Sequence, residues 1–183
     1  GSMWEAVVVG GTRMAPPDPV LGPSWFPGAR LNYAENLLRR EGDDPALIAW
    51  DERGRSGELS WSALRAEVAR VAAGLLQLGV QPGDRVAGWL PNIPETIVAM
   101  LGVASIGGVW TSCSPDFGID GIVDRFGQTE PVLLLCCDAY GYGGKVHGCA
   151  SRVREVLARL PSVQHAVVIP YRGDGTLPDD TRV

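Results

Sequence analysis

The sequence has few of the features that mark membrane proteins and nucleic-acid-binding proteins. Its 183 residues contain no apolar run of the roughly 20 residues that a membrane-spanning helix requires. They contain no run of Lys and Arg, and the net charge of −5 opposes attraction to a polyanion. We therefore predict neither a membrane nor a nucleic acid as a partner.

Histidine and regularly spaced cysteine are also scarce. The two histidines are His147 and His165, and the four cysteines form neither a C-x-x-C pair nor a regular framework. Cys136 and Cys137 are adjacent, so on a strand they point to opposite faces and do not act as one pair. The spacing of His147 and Cys149 with one of these thiols is weak for zinc. The sequence predicts reduced thiols, a cytoplasmic protein and no metal site.

Hydrophobic residues, in contrast, make up 45% of the chain, which is enough for a folded core. The first two residues resemble a cloning scar, and a stretch rich in proline and glycine follows. A short helix is predicted over 32–38, with Asn32 as its cap. The segments 46–50 and 58–61, with a polar turn between them, predict a hairpin. Apolar residues at helical spacing then predict a helix over 62–79.

From residue 85 onward the predicted elements alternate between strand and helix. Strands are predicted over 85–90, 108–112, 131–137 and 165–171, and helices over 94–107, 117–128 and 151–160. The segment PVLLLCC (131–137) is apolar throughout, as in strands that are covered on both faces. Short connections between alternating elements predict an α/β fold, with a parallel sheet flanked by helices and a small N-terminal hairpin.

The stretch VWTSCSPDFG (109–118) brings a thiol, hydroxyls and a carboxylate to the end of a predicted strand. Ser114, Pro115 and Asp116 suit the cap and first turn of the following helix. A thiol nucleophile needs a base within hydrogen-bond reach, and with two histidines in the chain this role is disfavoured for Cys113. Ligands of open parallel sheets bind outside the carboxyl ends of strands, so the stretch is a candidate binding surface. Trp110 is then either a core side chain or a platform for a base.

The segment AYGYGGKVH (139–147) follows the apolar strand and has two interpretations. Its glycines let the backbone approach a ligand closely, and Lys145 with the nearby amides suits a phosphate. The alternative is a plain flexible loop. The segment is not a Walker loop, because Ala139 stands at the place of the first glycine and Val146 at the place of Ser or Thr.

Two further patterns are interpreted as structural. The segment VVVGGTRM (7–14) lacks the G-x-G-x-x-G pattern and is interpreted as a packing segment. Asp116, Asp120 and Asp124 recur every four residues, which predicts one solvated face of a helix rather than acid–base chemistry.

Several stretches of the chain together carry a family resemblance. They are WFPGARLNYAENLL (25–38), LSWSAL (59–64), LPNIPETIVAMLGVASIGGVWTSCSPDFG (90–118), RFGQTEP (125–131), YGYGGKVH (140–147) and LPSVQHAVVIPY (160–171). They resemble the N-terminal part of acetoacetyl-CoA synthetases, which are acyl-CoA ligases of the adenylate-forming superfamily. The stretches WFPGARLNYAEN and SCSPDFG are typical of the acetoacetate branch.

This resemblance implies a reaction in two halves. ATP, accompanied by Mg²⁺, and acetoacetate form an acyl-adenylate and pyrophosphate, and CoA then forms the thioester and releases AMP. The family's phosphate loop, its adenine and ribose motifs and its catalytic lysine are not in this sequence. We therefore expect residues 3–183 to be the N-terminal part of the large domain, inactive alone, without a catalytic residue or a tightly bound cofactor. The remainder of its own chain is the expected partner.

The resemblance also implies part of a CoA site. In related acetate enzymes the strand end before the Ser-Pro pair contacts the CoA adenine, and a glycine loop one strand later contacts the 3′-phosphate. The matching positions here are Trp110, Thr111, Ser112, Tyr142, Gly143, Gly144 and Lys145. Tyr142 stands where those relatives have an arginine, so Lys145 is the preferred phosphate contact.

Two alternatives stay open. One is a stand-alone α/β module that binds a nucleotide or a protein without catalysis. The other is a ligase for a different short-chain acyl acid, because the acyl pocket of these enzymes lies mostly beyond the stretches that match.

Overall fold

The computed structural model describes residues 28–172 and Arg182, and the described residues from Tyr33 onward belong to one compact unit. The first two residues, the segment VVVGGTRM (7–14), residues 173–181 and Val183 lie outside the described residues. The helices are α1 (Tyr33–Leu37), α2 (Trp61–Gln77), α3 (Pro94–Ser105), α4 (Ile119–Thr129) and α5 (Ala150–Arg159). The strands are β1 (Pro45–Asp51), β2 (Gly54–Ser60), β3 (Arg85–Trp89), β4 (Val109–Cys113), β5 (Leu133–Cys137), β6 (Ala139–Tyr142), β7 (Lys145–Gly148) and β8 (His165–Ile169).

Four strands form one parallel sheet in the order β4-β3-β5-β8. β3 pairs with β4 on one side and with β5 on the other, and β8 pairs with the far side of β5. All five residues of β5 are buried, as the continuous apolar run predicts for a strand that helices cover on both faces. The predicted α/β fold with a parallel sheet flanked by helices is confirmed.

The amphipathic helices bury the faces that the sequence predicts. α2 begins after Ser60, whose hydroxyl accepts a hydrogen bond from the Ala63 amide at 3.2 Å. The buried side chains of α2 are Leu64, Val68 and Leu75. In α4 they are Ile122 and Phe126, and in α5 Val153, Val156 and Leu157. Within residues 28–172, no helix combines the length and the apolar character that crossing a membrane requires.

β1 and β2 form the predicted hairpin, with a shorter turn than the sequence suggests. Asp51 lies opposite Gly54, so the turn consists of Glu52 and Arg53. Gly54 has φ +117°, a conformation that residues with a Cβ rarely adopt. This tight turn projects the Glu52 side chain away from the hairpin that carries it, toward β6 and β7.

β6 and β7 form a second antiparallel hairpin, so the interpretation of this segment as a plain flexible loop is wrong. Tyr142 pairs with Lys145 across the end of the hairpin, and Gly143 and Gly144 form the turn. Their φ angles are +60° and +71°. Positive φ at both central residues is the requirement of a type I′ turn, which matches the twist of the two strands. A Gly-Gly pair between two short strands was the signal for this hairpin in the sequence.

α4 begins at Ile119, so the predicted capping role of Ser114, Pro115 and Asp116 is wrong. Residues 114–117 instead form a turn in which the Phe117 amide donates to the Ser114 carbonyl at 3.3 Å. Arg152 of α5 donates to the carbonyl of Pro115 at 2.8 Å and to that of Phe117. The helix starts after Gly118, whose carbonyl accepts the Ile122 amide at 3.1 Å. Asp116 therefore lies outside the helix face that carries Asp120 and Asp124.

The buried face of α4 allows a direct test of how the core stabilises the fold. We expect Ile122→Val to lower the free energy of unfolding by about 1 kcal/mol, because Ile122 is fully buried and the lost methylene leaves a void. The same substitution at Ile48, which is 51% exposed on β1, is the matched control and should change it by less than about 0.5 kcal/mol. Urea denaturation measures both values. Equal values for the two variants would contradict this account of the core.

Candidate functional site

The first group of predicted site residues, Trp110, Thr111 and Ser112, lies inside β4 rather than after its end. β4 is at the edge of the sheet, and within the described part of the chain its outer side has no strand partner. Trp110 and Thr111 are half-buried, and Ser112 is exposed. A strand at an edge offers unpaired backbone groups as well as side chains to a ligand.

The Trp110 ring reaches the carboxyl end of the sheet by crossing the neighbouring strand. Trp110 pairs with Val86 of β3, but its ring lies against the backbone of Gly88, two residues further on. A Cβ at Gly88 would lie 2.3 Å from the ring, so the close approach requires glycine. Trp110 packs against the core and still keeps part of its surface in solvent. The structure therefore shows Trp110 as a partly buried side chain that packs against the core, and its role as a platform for a base stays a prediction.

Cys113 follows these residues at the end of β4. Burial raises the pKa of its thiol to about 11, with a further contribution from the charge of Asp116, although Arg125 acts in the opposite direction. A thiol with this pKa is protonated at neutral pH and is a poor nucleophile.

The second group of predicted site residues, Tyr142, Gly143, Gly144 and Lys145, forms the tip of the β6–β7 hairpin. All four are exposed, and Tyr142 shows 68% of its surface to solvent. The hairpin follows β5, which is separated from β4 by β3. The structure therefore places the two groups on separate elements of the sheet's carboxyl side.

The amides of the hairpin turn already have an anionic partner. The amide of Gly143 donates to Oε1 of Glu52 at 2.7 Å, and the amide of Gly144 donates to Oε2 at 2.8 Å. These two hydrogen bonds lower the pKa of the Glu52 carboxyl. The turn amides therefore bind a carboxylate of the same chain, whereas the sequence suggested a phosphate as their partner.

Charged side chains surround this contact. Asp51 accepts hydrogen bonds from the amide of Arg53 at 2.8 Å and from its guanidinium at 2.9 Å, and it also pairs with Arg172. The side-chain and backbone bonds from Arg53, with that from Arg172, lower the pKa of Asp51 to about 2 despite partial burial. Together with Glu52 and Lys145, these residues line a depression of about 210 Å³, which we call the polar depression.

The buried carboxylate of Asp138 holds the base of the hairpin. Only 5% of Asp138 is exposed. Its Oδ1 accepts hydrogen bonds from the amides of Ala139 at 2.7 Å, Tyr171 at 2.8 Å and Arg172 at 3.3 Å. Sequence reasoning missed both Asp138 and Glu52. An acidic residue directly after the apolar strand was the available signal for Asp138, whereas Glu52 had none.

The remaining cysteines lie near the hairpin base. Within the described residues the four cysteines are free thiols, and Cys136, Cys137 and Cys149 are buried. A hydrogen bond with Cys149, together with burial, raises the pKa of Cys137. His147 stacks on Tyr140 with ring centroids 5.1 Å apart. Among residues 28–172 and Arg182, no group of three or more His, Cys, Asp or Glu side chains is arranged to hold a metal ion.

An apolar groove of about 620 Å³ lies between helices α2 and α3 and the sheet. Its side chains include Val71, Leu75, Val98, Leu135, Val167 and Ile169. Two of them come from β8, the strand at the edge of the sheet opposite β4. We call this surface the apolar groove.

Comparison with known proteins gives a consistent result. The AMP-binding enzyme family matches residues 34–181. The chain is 47% identical to the acetoacetyl-coenzyme A synthetase of Rhizobium meliloti (strain 1021), over 95% of this chain and 26% of that protein. It is 43% identical to a malonamoyl-CoA synthetase of Penicillium aethiopicum, over 80% of this chain and 21% of that protein.

The fold gives the same match. The acetoacetyl-CoA synthetase structure from Streptomyces lividans superimposes with a TM-score of 0.80 at 46% identity, covering 91% of this chain and 27% of that one. The chain thus spans about a quarter of the length of these relatives.

The contact between Trp110 and Gly88 can be tested by mutation. We expect Gly88→Ala to lower the free energy of unfolding by about 1–3 kcal/mol, because the new methyl group displaces the ring. Gly127→Ala on α4 is the matched control: it meets open space and should stabilise the helix by up to about 1 kcal/mol. Urea denaturation, with tryptophan fluorescence as the probe, measures both. Unchanged stability in Gly88→Ala would contradict the close packing.

Proposed function

The chain belongs to the AMP-binding enzyme family, and we propose that it is the N-terminal part of an acetoacetate–CoA ligase. The observation that carries this proposal is the 47% identity to an acetoacetyl-coenzyme A synthetase along 95% of the chain. The proposed reaction converts ATP, acetoacetate and CoA into acetoacetyl-CoA, AMP and pyrophosphate. It passes through an acyl-adenylate, whose anhydride the CoA thiol then attacks.

Residues 3–183 then belong to the large domain of that enzyme and carry no catalytic residue of the reaction. We propose that this part contributes to the CoA site and that the complete chain supplies the rest. ATP binds as its Mg²⁺ complex, so the ion arrives with the nucleotide. The free thiols of the described residues support a reducing, cytoplasmic location.

Trp110 is the proposed platform for the adenine of CoA. The edge of its ring at Cη2 and Cζ2 packs against Gly88, and Trp110 is only half-buried, which supports a role for the rest of the ring in stacking. Thr111 and Ser112 follow on the same edge strand, where hydroxyls and unpaired backbone groups are available for hydrogen bonds.

Lys145 is the proposed partner of the CoA 3′-phosphate. Glu52 uses both amides of Gly143 and Gly144, so a phosphate does not find these amides free. Tyr142 beside the turn carries no charge that would attract a phosphate. The exposed ammonium group of Lys145 is therefore the group at the hairpin tip that best suits the anion.

The apolar groove supports the proposal that the remainder of the parent chain packs on this part. The groove has a volume of about 620 Å³ and is lined by aliphatic side chains. Such an apolar surface is unfavourable in water and is typical of a contact with another apolar element. We propose that a later segment of the same enzyme covers it.

A second candidate function is a ligase for another short-chain acid. The 43% identity to a malonamoyl-CoA synthetase over 80% of the chain supports it, because that identity is close to the 47% found with the acetoacetyl-coenzyme A synthetase. The proposed CoA contacts would be common to both enzymes.

The complete protein encoded by the parent gene tests the function. We expect acetoacetate to drive exchange of pyrophosphate into ATP, and CoA to convert the adenylate into a thioester and AMP. Malonamate and other short acids serve as comparisons. Preference for another acid would favour the second candidate, and absence of any acid-dependent exchange would favour a binding module without catalysis.

The role of Trp110 is tested by Trp110→Ala in the complete enzyme. We expect the KM for CoA to rise about tenfold, since stacking of a base on an aromatic ring contributes roughly 1–3 kcal/mol. Acetoacetate-dependent pyrophosphate exchange should stay close to the wild-type rate, because that half-reaction needs no CoA. Trp50→Ala, which removes a tryptophan 69% exposed on β1, is the matched control. Equal loss of both half-reactions would refute the assignment.

A further inference from the structure

The contact between Glu52 and the β6–β7 turn joins two hairpins that are distant in the sequence. Glu52 is 91 residues before Gly143, and each oxygen of its carboxylate accepts one amide, at 2.7 and 2.8 Å. A carboxylate bound by two converging amides is held in both position and orientation. Hydrogen bonds of this charged kind are about twice as strong as those between neutral groups.

Both partners of the contact are shaped in advance. Gly143 and Gly144 adopt positive φ, which turns their amides toward one point. On the other side, the amide of Arg53 donates to Asp51 at 2.8 Å and closes the β1–β2 turn around Glu52. The pairing of Asp51 with Arg172 then fixes this turn to the segment after β8. Little conformational freedom is lost when the carboxylate meets the amides.

The tip of the hairpin has little other support. Tyr142 and Val146 are 68% and 61% exposed, so few apolar contacts hold them. Further down, the hairpin is fixed by the stacking of Tyr140 on His147 and by the Asp138 carboxylate at its base. In the same hairpin, His147 Nε2 lies 3.3 Å from the Tyr142 carbonyl oxygen. Within the described residues, the Glu52 contact is the hydrogen-bonded link between the turn at the tip and another part of the chain.

We propose that Glu52 is a positioning residue for CoA binding, which holds the hairpin tip so that Lys145 and Tyr142 face the ligand. This inference rests on the proposed function. Glu52 itself does not contact the ligand in this arrangement. It occupies the turn amides, orients the hairpin and leaves the phosphate to Lys145.

The hydrogen bonds that Glu52 accepts favour its ionised form. The two amides lower its pKa from an ordinary value of 4.5, Arg172 acts in the same direction, and Asp51 opposes them. Arg53 and Lys145 also line the polar depression. Because the pKa is lowered in the folded state, the contact contributes its full stabilisation above pH 4.5 and is lost as the pH falls through the lowered pKa of the folded state. CoA binding near neutral pH should thus not depend on this group's titration.

The test is Glu52→Gln in the complete enzyme. The amide side chain has the same shape, but only its oxygen accepts a hydrogen bond, so one turn amide loses its partner. Glu58→Gln is the matched control, because Glu58 lies on the same hairpin and pairs with Arg55 rather than with the turn. Two readouts are needed: hydrogen exchange of a peptide that covers residues 141–145, and the KM for CoA beside the rate of pyrophosphate exchange.

In Glu52→Gln we expect faster hydrogen exchange at the tip and a KM for CoA raised about five- to tenfold. The rate of pyrophosphate exchange should be unchanged, and Glu58→Gln should behave like wild type. Glu52→Asp, which keeps the charge but shortens the side chain, should give intermediate values. Unchanged hydrogen exchange at the tip would overturn the proposal, and so would faster hydrogen exchange with an unchanged KM for CoA. A lower KM would show that Glu52 competes with the phosphate for the amides, which also overturns it.

The two levels of the proposal fail in different ways. If the wild-type complete protein forms no thioester from any acid, the proposed function fails and the role in CoA binding fails with it. The hydrogen-exchange measurement still decides whether Glu52 holds the hairpin tip. If the wild type forms acetoacetyl-CoA and Glu52→Gln matches it in every readout, the function stands and the positioning role fails.

Discussion

The buried carboxylate of Asp138 is the interaction on which the arrangement of the candidate site depends. Asp138 lies directly after the end of β5. It accepts hydrogen bonds from backbone amides of the hairpin that follows and of the segment after β8. The backbone carbonyl of the same residue accepts the Cys149 amide, just before α5 begins. The burial of this carboxylate is offset by the three amide hydrogen bonds that its Oδ1 accepts. The start of the hairpin and the end of the sheet therefore cannot move independently.

A second set of charges fixes the other end of the hairpin. Asp51 pairs with the guanidinium of Arg172, whose backbone amide donates to Asp138, and Glu52 binds the diglycine turn. The hairpin is thus held at its base by one carboxylate and at its tip by another. The segment after β8 contacts both Asp138 and Asp51, the neighbour of Glu52. The polar depression is the space that these contacts enclose, and Lys145 stands at its rim.

Close packing between a large and a small residue shapes the first group of site residues. Gly88 in a fully buried strand is costly for β structure, since it lacks a side chain that packs and leaves the unfolded chain more freedom. Here the missing side chain makes room for the Trp110 ring. The ring supports the core with one part and faces solvent with another. An aromatic surface held in this way loses little freedom when a flat ligand stacks on it.

The sequence alone determined the elements whose pattern is local. Apolar residues at helical spacing located α2, α4 and α5, and the continuous apolar run identified β5 as a central strand. The resemblance to acetoacetyl-CoA synthetases also followed from contiguous stretches. The match of residues 34–181 to the AMP-binding enzyme family shows that the chain belongs to that family.

Only the tertiary structure decided the features that join distant residues. Arg152 donates to the carbonyls of Pro115 and Phe117, which lie more than thirty residues earlier in the chain. Glu52 met its amides across 91 residues, and Trp110 met Gly88 through the pairing of two strands. Neither periodicity nor a motif records such contacts, because they depend on strand order and on where a turn points. The sequence determined which elements form, and their packing determined which side chains meet.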